Sequence, residues 1–230
     1  MSIRTTNMYS FESIAIEGHG GRPIPNTFFK LSSPSDKLAM VFPGRGYTSQ
    51  GPLLYYTIGL LLENRVNVLS VDYRYSAIPE FVNLEWEDRM QWILEDVEAA
   101  YKAAKQHIDA RLSVLVGKSL GTLGIGHLLS KFDDTRRARI IWHTPLLRIE
   151  GLVRQIKENK PSSLIVIGTD DPHYDTAVLD SVIETTGAST IIIDDADHSM
   201  DIRVSVRDSI EAMSRIIEKI KNFLCPVDRN

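Results

Sequence analysis

The chain has 230 residues, 43% of them hydrophobic and 24% charged, with a formal net charge of -4. This composition suits a globular protein with a large core and argues against a nucleic-acid surface, because the densest basic cluster, Arg136 and Arg137 with Arg139, falls in an expected loop. No 18-residue apolar stretch or apolar signal core marks a membrane span or export, so the expected compartment is the cytoplasm; the single cysteine, Cys225, excludes an internal disulfide.

Glu12 to Glu17 and Thr27 to Leu31 flank a loop with three glycines and two prolines, and are expected to pair as antiparallel strands. Lys37 to Phe42 is the first strongly apolar strand, followed by a loop to Pro52 and a helix over Leu53 to Glu63. Val66 to Asp72 is the next strand. Leu84 to His107 carries the longest helical pattern, with Trp86, Met90, Ile93, Val97, Ala100 and Ala104 at three- or four-residue steps. Arg111 to Val116 then leads as a strand into a helix over Leu120 to Lys131.

Ala138 to Trp142, Leu164 to Ile167 and Thr190 to Ile193 read as further strands, and Arg148 to Lys157, Ala177 to Thr185 and Val204 to Phe223 as helices. Short Val- and Ile-rich runs alternating with amphipathic stretches predict an α/β fold, a parallel sheet with helices on both faces. Nothing repeats and no linker divides the chain, so residues 1–230 are read as one domain.

The segment VLVGKSLGTLG, Val114 to Gly124, admits two chemistries. A phosphate-binding loop needs a glycine five positions before Gly117, and that position is Leu112, inside an apolar strand. Gly117-x-Ser119-x-Gly121 instead fits a sharp strand-to-helix turn that presents a nucleophilic serine between small residues.

A serine hydroxyl is a poor nucleophile unless a base takes its proton and a carboxylate orients that base. In a parallel sheet such groups gather on loops at the carboxyl ends of the strands. His198 follows one such strand and Asp171, next to Asp170, follows another, giving the order Ser119, Asp171, His198. His143 closes a further strand on the same rim and competes for the base, while His173 lies beside the acid.

With GKSLG at Gly117–Gly121, GTDDP at Gly168–Pro172 and DADHSM up to Met200, the chain resembles the α/β-hydrolase superfamily, in particular small lidless members such as dienelactone-hydrolase-like proteins and carboxylesterases. The resemblance spans nearly the whole sequence. It implies a mostly parallel central sheet of about eight strands with no large cap, Ser119 as nucleophile, His198 as base and Asp171, three residues after the glycine, as acid. It also implies a small ester-like substrate and no metal or organic cofactor.

Attack on a carbonyl creates an oxyanion that needs donors already in place. Leu120, directly after the serine, is one expected backbone N–H donor; the loop Pro43-Gly44-Arg45-Gly46-Tyr47 supplies the other, with Arg45 preferred over Gly46. Many relatives carry His-Gly in this loop, and Pro43 departs from that pattern.

Tyr47, Arg74, His143 and His173 are candidate substrate contacts, Arg74 as a planar donor to a carboxylate or as half of a structural ion pair. Gly44-x-Gly46 with Asp72 echoes a dinucleotide site, but Ser49 stands where the third glycine belongs. Thioesters and some amides share the ester intermediate, and a hydrolase-shaped binding or scaffolding protein is the reading from another class. The sequence gives no sign of oligomeric state, nucleic-acid partner or membrane partner.

Overall fold

In the computed structural model, which describes residues 8–225, the apolar runs form strands β1 (Tyr9–Glu12), β2 (Asn26–Leu31), β3 (Lys37–Phe42), β4 (Asn67–Val71), β5 (Arg111–Lys118), β6 (Arg139–His143), β7 (Ser163–Gly168) and β8 (Ser189–Ile193). The ends of the 1–230 domain reading lie outside the described residues. All eight strands join one sheet in the order β1-β2-β4-β3-β5-β6-β7-β8. The pairs β1–β2 and β2–β4 are antiparallel, and every pairing from β4 to β8 is parallel.

Seven α-helices accompany the sheet among the described residues: α1 (Pro52–Glu63), α2 (Pro79–Val82), α3 (Trp86–His107), α4 (Leu120–Lys131), α5 (Glu150–Asn159), α6 (Thr176–Thr186) and α7 (Val206–Leu224). Strand side chains alternate between two apolar layers. Leu38, Met40 and Phe42 point into the layer with α3 and α4, whereas Ala39 and Val41 point into the layer with α1 and α7. On α7, the stripe Ala212, Ile216, Ile220 and Leu224 is buried at four-residue spacing. Each isoleucine or leucine so covered contributes about 1.5–3 kcal/mol. Ser205 starts this helix by accepting a hydrogen bond from the Asp208 N–H at 3.2 Å.

The expected strand over Glu12 to Glu17 is corrected: pairing stops at Glu12. Beyond it, the Asn26 side chain takes both backbone groups of Ile14, accepting from its N–H at 3.0 Å and donating to its carbonyl at 2.8 Å. An amide side chain therefore stands where a neighbouring strand would. Helix α2 falls in the loop before α3, and β5 runs two residues further than expected, through Gly117 and Lys118. Between β6 and β7 the chain forms only a short loop and α5, with no inserted cap. No helix among the described residues is long and apolar enough to cross a membrane.

The sheet order fixes where a site can form. From β3 the chain moves outward to β4 and then returns to the other side of β3 as β5. The loops leaving β3 and β5 consequently diverge to opposite faces and open a crevice at their carboxyl ends. Gly44 and Ser119 meet there: a Cβ on Gly44 would lie 3.0 Å from the Ser119 Cβ and 3.6 Å from its Oγ.

Candidate active site

Ser119 occupies the single residue between β5 and α4, with φ 52° and ψ -117°. Such a backbone costs a non-glycine residue about 1–3 kcal/mol and persists only where its surroundings enforce it. Here the Ser119 N–H donates to the His143 carbonyl at 3.1 Å, while the Thr122 N–H and hydroxyl both donate to the Ser119 carbonyl. The flanking glycines permit the turn by close approach: a Cβ on Gly121 would sit 2.0 Å from the Phe42 carbonyl oxygen, and one on Gly117 2.7 Å from Ile125 Cδ1.

At the end of β7, Asp171 is 3% exposed and its carboxylate faces His198. Its Oδ2 lies 2.8 Å from His198 Nδ1, and its Oδ1 accepts the His173 N–H at 2.8 Å. Asp170 is exposed and donates its backbone N–H to the Ala196 carbonyl, tying the β7 loop to the histidine loop. With Nδ1 engaged by a carboxylate, His198 presents Nε2 as its free ring nitrogen. Ser119 Oγ has no hydrogen-bond partner among the described residues.

A cavity of about 260 Å³ opens onto Ser119 and Leu120. Phe81, Trp86 and Ile93 form one wall, Leu146 and Ile149 another, and Arg45, Arg89 and His173 add polar edges. His173 also reaches His198, with ring centroids 5.7 Å apart. Burial holds the His173 imidazole below its ordinary pKa, so the ring is neutral near pH 7, although Asp171 pulls the other way. Neither the Arg45 nor the Leu120 backbone N–H is engaged within the protein among the described residues.

Three other candidate contacts sit elsewhere. His143 is fully buried behind the elbow, where Nε2 lies 3.1 Å from Thr57 Oγ1, and burial assisted by the Lys118 charge lowers its pKa to about 3. A ring without exposed surface does not touch a substrate, so that assignment is corrected. Arg74 pairs with Asp72 at 3.4 Å and is absent from the cavity wall, which is the structural half of its two readings. Tyr47 is half-buried: its hydroxyl accepts the Leu53 N–H at 3.0 Å, and burial raises its pKa to about 12. It braces the β3–α1 loop rather than lining the cavity.

Sequence reasoning missed the aromatic wall, because Phe81 and Trp86 belong to a connection that reads as loop and helix start. It also passed over Lys118. A charged residue between Gly117, at the end of an apolar run, and Ser119 was the available signal, since the strand end it occupies has to be buried.

No family model and no curated protein matches the chain. Solved structures of similar shape exist at low identity. An esterase of Pyrococcus furiosus superposes with a TM-score of 0.70 at 14% identity, covering 94% of this chain and 92% of its own. The protein Est1E of Butyrivibrio proteoclasticus, solved with ferulic acid, gives 0.68 at 12% identity over 91% and 97%. An alpha-beta serine hydrolase homologue from Coxiella burnetii gives 0.67 at 15% identity over 97% and 100%. Sheet order, strand-end loops and these superpositions agree that the chain has the α/β-hydrolase fold.

Proposed function

We propose that the protein is a serine hydrolase that cleaves a small ester-like substrate through an acyl-enzyme on Ser119. The observation that carries this reading is the 2.8 Å contact between Asp171 and His198 on a rim shared with a strained serine elbow. His198 Nε2 takes the Ser119 proton as Oγ bonds to the acyl carbon. The tetrahedral intermediate then collapses, and His198 passes that proton to the departing alcohol oxygen as the ester bond breaks. Water, deprotonated by the same nitrogen, next releases the acyl group.

Asp171 holds His198 in the tautomer with a proton on Nδ1 and steadies the imidazolium that forms. The unengaged Leu120 and Arg45 N–H groups receive the oxyanion. The apolar cavity of about 260 Å³ favours a short acyl group. Esterases among proteins of the same fold support the choice of an ester bond over an amide.

The unpartnered Ser119 hydroxyl is what a binding protein with an idle triad would also have, and activity separates the two. Ser119→Ala should abolish turnover of p-nitrophenyl acetate by the purified protein while leaving its circular dichroism unchanged. Wild-type turnover that persists in this variant removes the nucleophile assignment, and no wild-type turnover of any ester or thioester favours the binding protein.

A further inference from the structure

We infer that Lys118 is a positioning residue that fixes the main chain of His198 for proton transfer at Ser119; this rests on the hydrolase reading above. Lys118 is the residue immediately before the serine and is 2% exposed. Its Nζ donates to the His198 carbonyl at 2.9 Å and to Thr144 Oγ1 at 3.1 Å, and stands 4.5 Å from the centroid of the Tyr47 ring. Two oxygen acceptors and an aromatic face thereby account for the three donors of an ammonium group.

The contacts join three strand-end loops to the end of a fourth strand at one atom. Tyr47 comes from the loop after β3, Lys118 from the end of β5, Thr144 from the loop after β6 and His198 from the loop after β8. Thr144 is held in a positive-φ backbone, at 42°, by its N–H donating to the Val166 carbonyl at 2.7 Å. The Lys118 contact is the one hydrogen bond made by the main chain of His198 among the described residues. Asp171 therefore sets the ring from the β7 side, and Lys118 sets the backbone from the serine side.

Fold stability alone does not explain this arrangement. Burying an ammonium group is unfavourable unless its hydrogen bonds are made, and here they are made to groups of the histidine loop and of the loop after β6 rather than within the strand's own surroundings. Burial lowers the Lys118 pKa to about 8, with Asp171 and Asp197 opposing the shift, so the folded protein tolerates the charge rather than gaining from it. A buried charge bonded to the histidine loop beside the serine fits a functional constraint.

The test is steady-state hydrolysis of p-nitrophenyl acetate together with thermal unfolding of Lys118→Met. The expected result is a folded variant with a KM within about twofold and a kcat roughly 10- to 100-fold lower, the effect of a misplaced base. If Lys118→Met does not fold, Thr144→Val decides. That variant removes one Nζ acceptor without changing shape, and should lower kcat a few-fold with KM within about twofold of the wild type. Wild-type kcat in the folded variant, beside an inactive Ser119→Ala, overturns the role of Lys118 and leaves the hydrolase reading standing. A wild type without turnover removes both.

Discussion

Asp171 is sealed from solvent while its partner His198 keeps 31% of its side chain exposed, so the 2.8 Å contact between them joins the interior to the surface. The direction of the proton in that contact follows from chemistry: a carboxylate only accepts, so Nδ1 donates. Asp171→Asn reverses it. The asparagine oxygen can keep accepting the His173 N–H while its amide donates to Nδ1, which forces the imidazole proton onto Nε2 and removes the base. Turnover should fall by roughly 10³–10⁴-fold with little change in the urea midpoint. Retention of kcat within about tenfold would mean that Asp171 does not orient the base.

The elbow makes a packing prediction. Alanine is favoured over glycine inside a helix by about 1 kcal/mol, yet at position 121 its Cβ would meet the Phe42 carbonyl oxygen at 2.0 Å. A backbone carbonyl in the central strand β3 cannot swing aside. Gly121→Ala should therefore destabilise the protein by about 1–3 kcal/mol in chemical denaturation and distort the Ser119 turn. A stabilised variant would show that the strand and helix separate more easily than this contact implies.

His143 gives a pH prediction with a definite sign. Its pKa is about 3 in the folded protein against 6.5 for an ordinary histidine, so between those values the unfolded chain binds a proton that the folded one refuses. Stability contributed by the neutral ring is thus present above pH 6.5 and lost on acidification, at about 1.4 kcal/mol per pH unit through the window. Between pH 6.5 and 5 this loss is about 2 kcal/mol, and His143→Gln should lack it. Equal pH dependence in urea titrations of the two proteins would contradict the buried neutral ring.

What the sequence made legible divides along physical lines. Strands β3 to β8 are visible as continuous apolar runs because a parallel sheet is covered on both faces, and the long helices because one buried face imposes a period of about 3.6 residues. Residues 119, 171 and 198 are visible because each follows such a strand. The limits of β1 are not, because a side-chain amide of Asn26 replaces the neighbouring strand at Ile14 and leaves no periodic trace. Nor is the burial of His143, which closes an apolar strand as a candidate contact but is packed behind the elbow with its Nε2 against Thr57 of α1. The place of Lys118 depends on three loops meeting at the end of β5, which no local pattern encodes.

On the proposed hydrolase reading, the cavity wall sets a size limit on the acyl group. Ile149 is half-buried and lines the cavity beside Leu146. Ile149→Ala should widen that wall and raise the ratio of kcat/KM for a butyryl over an acetyl ester by roughly tenfold, the worth of one or two methylenes in an apolar pocket. An unchanged ratio would place the acyl chain elsewhere.

The central claim is that Ser119 becomes covalently acylated, and a fluorophosphonate tests it most directly, because the reagent forms a stable adduct only on a serine that an adjacent base activates. Peptide mass spectrometry after labelling should find the adduct on Ser119 in the wild type and none in His198→Ala. An unlabelled wild type, or an adduct on another residue with Ser119 unmodified, would contradict the account.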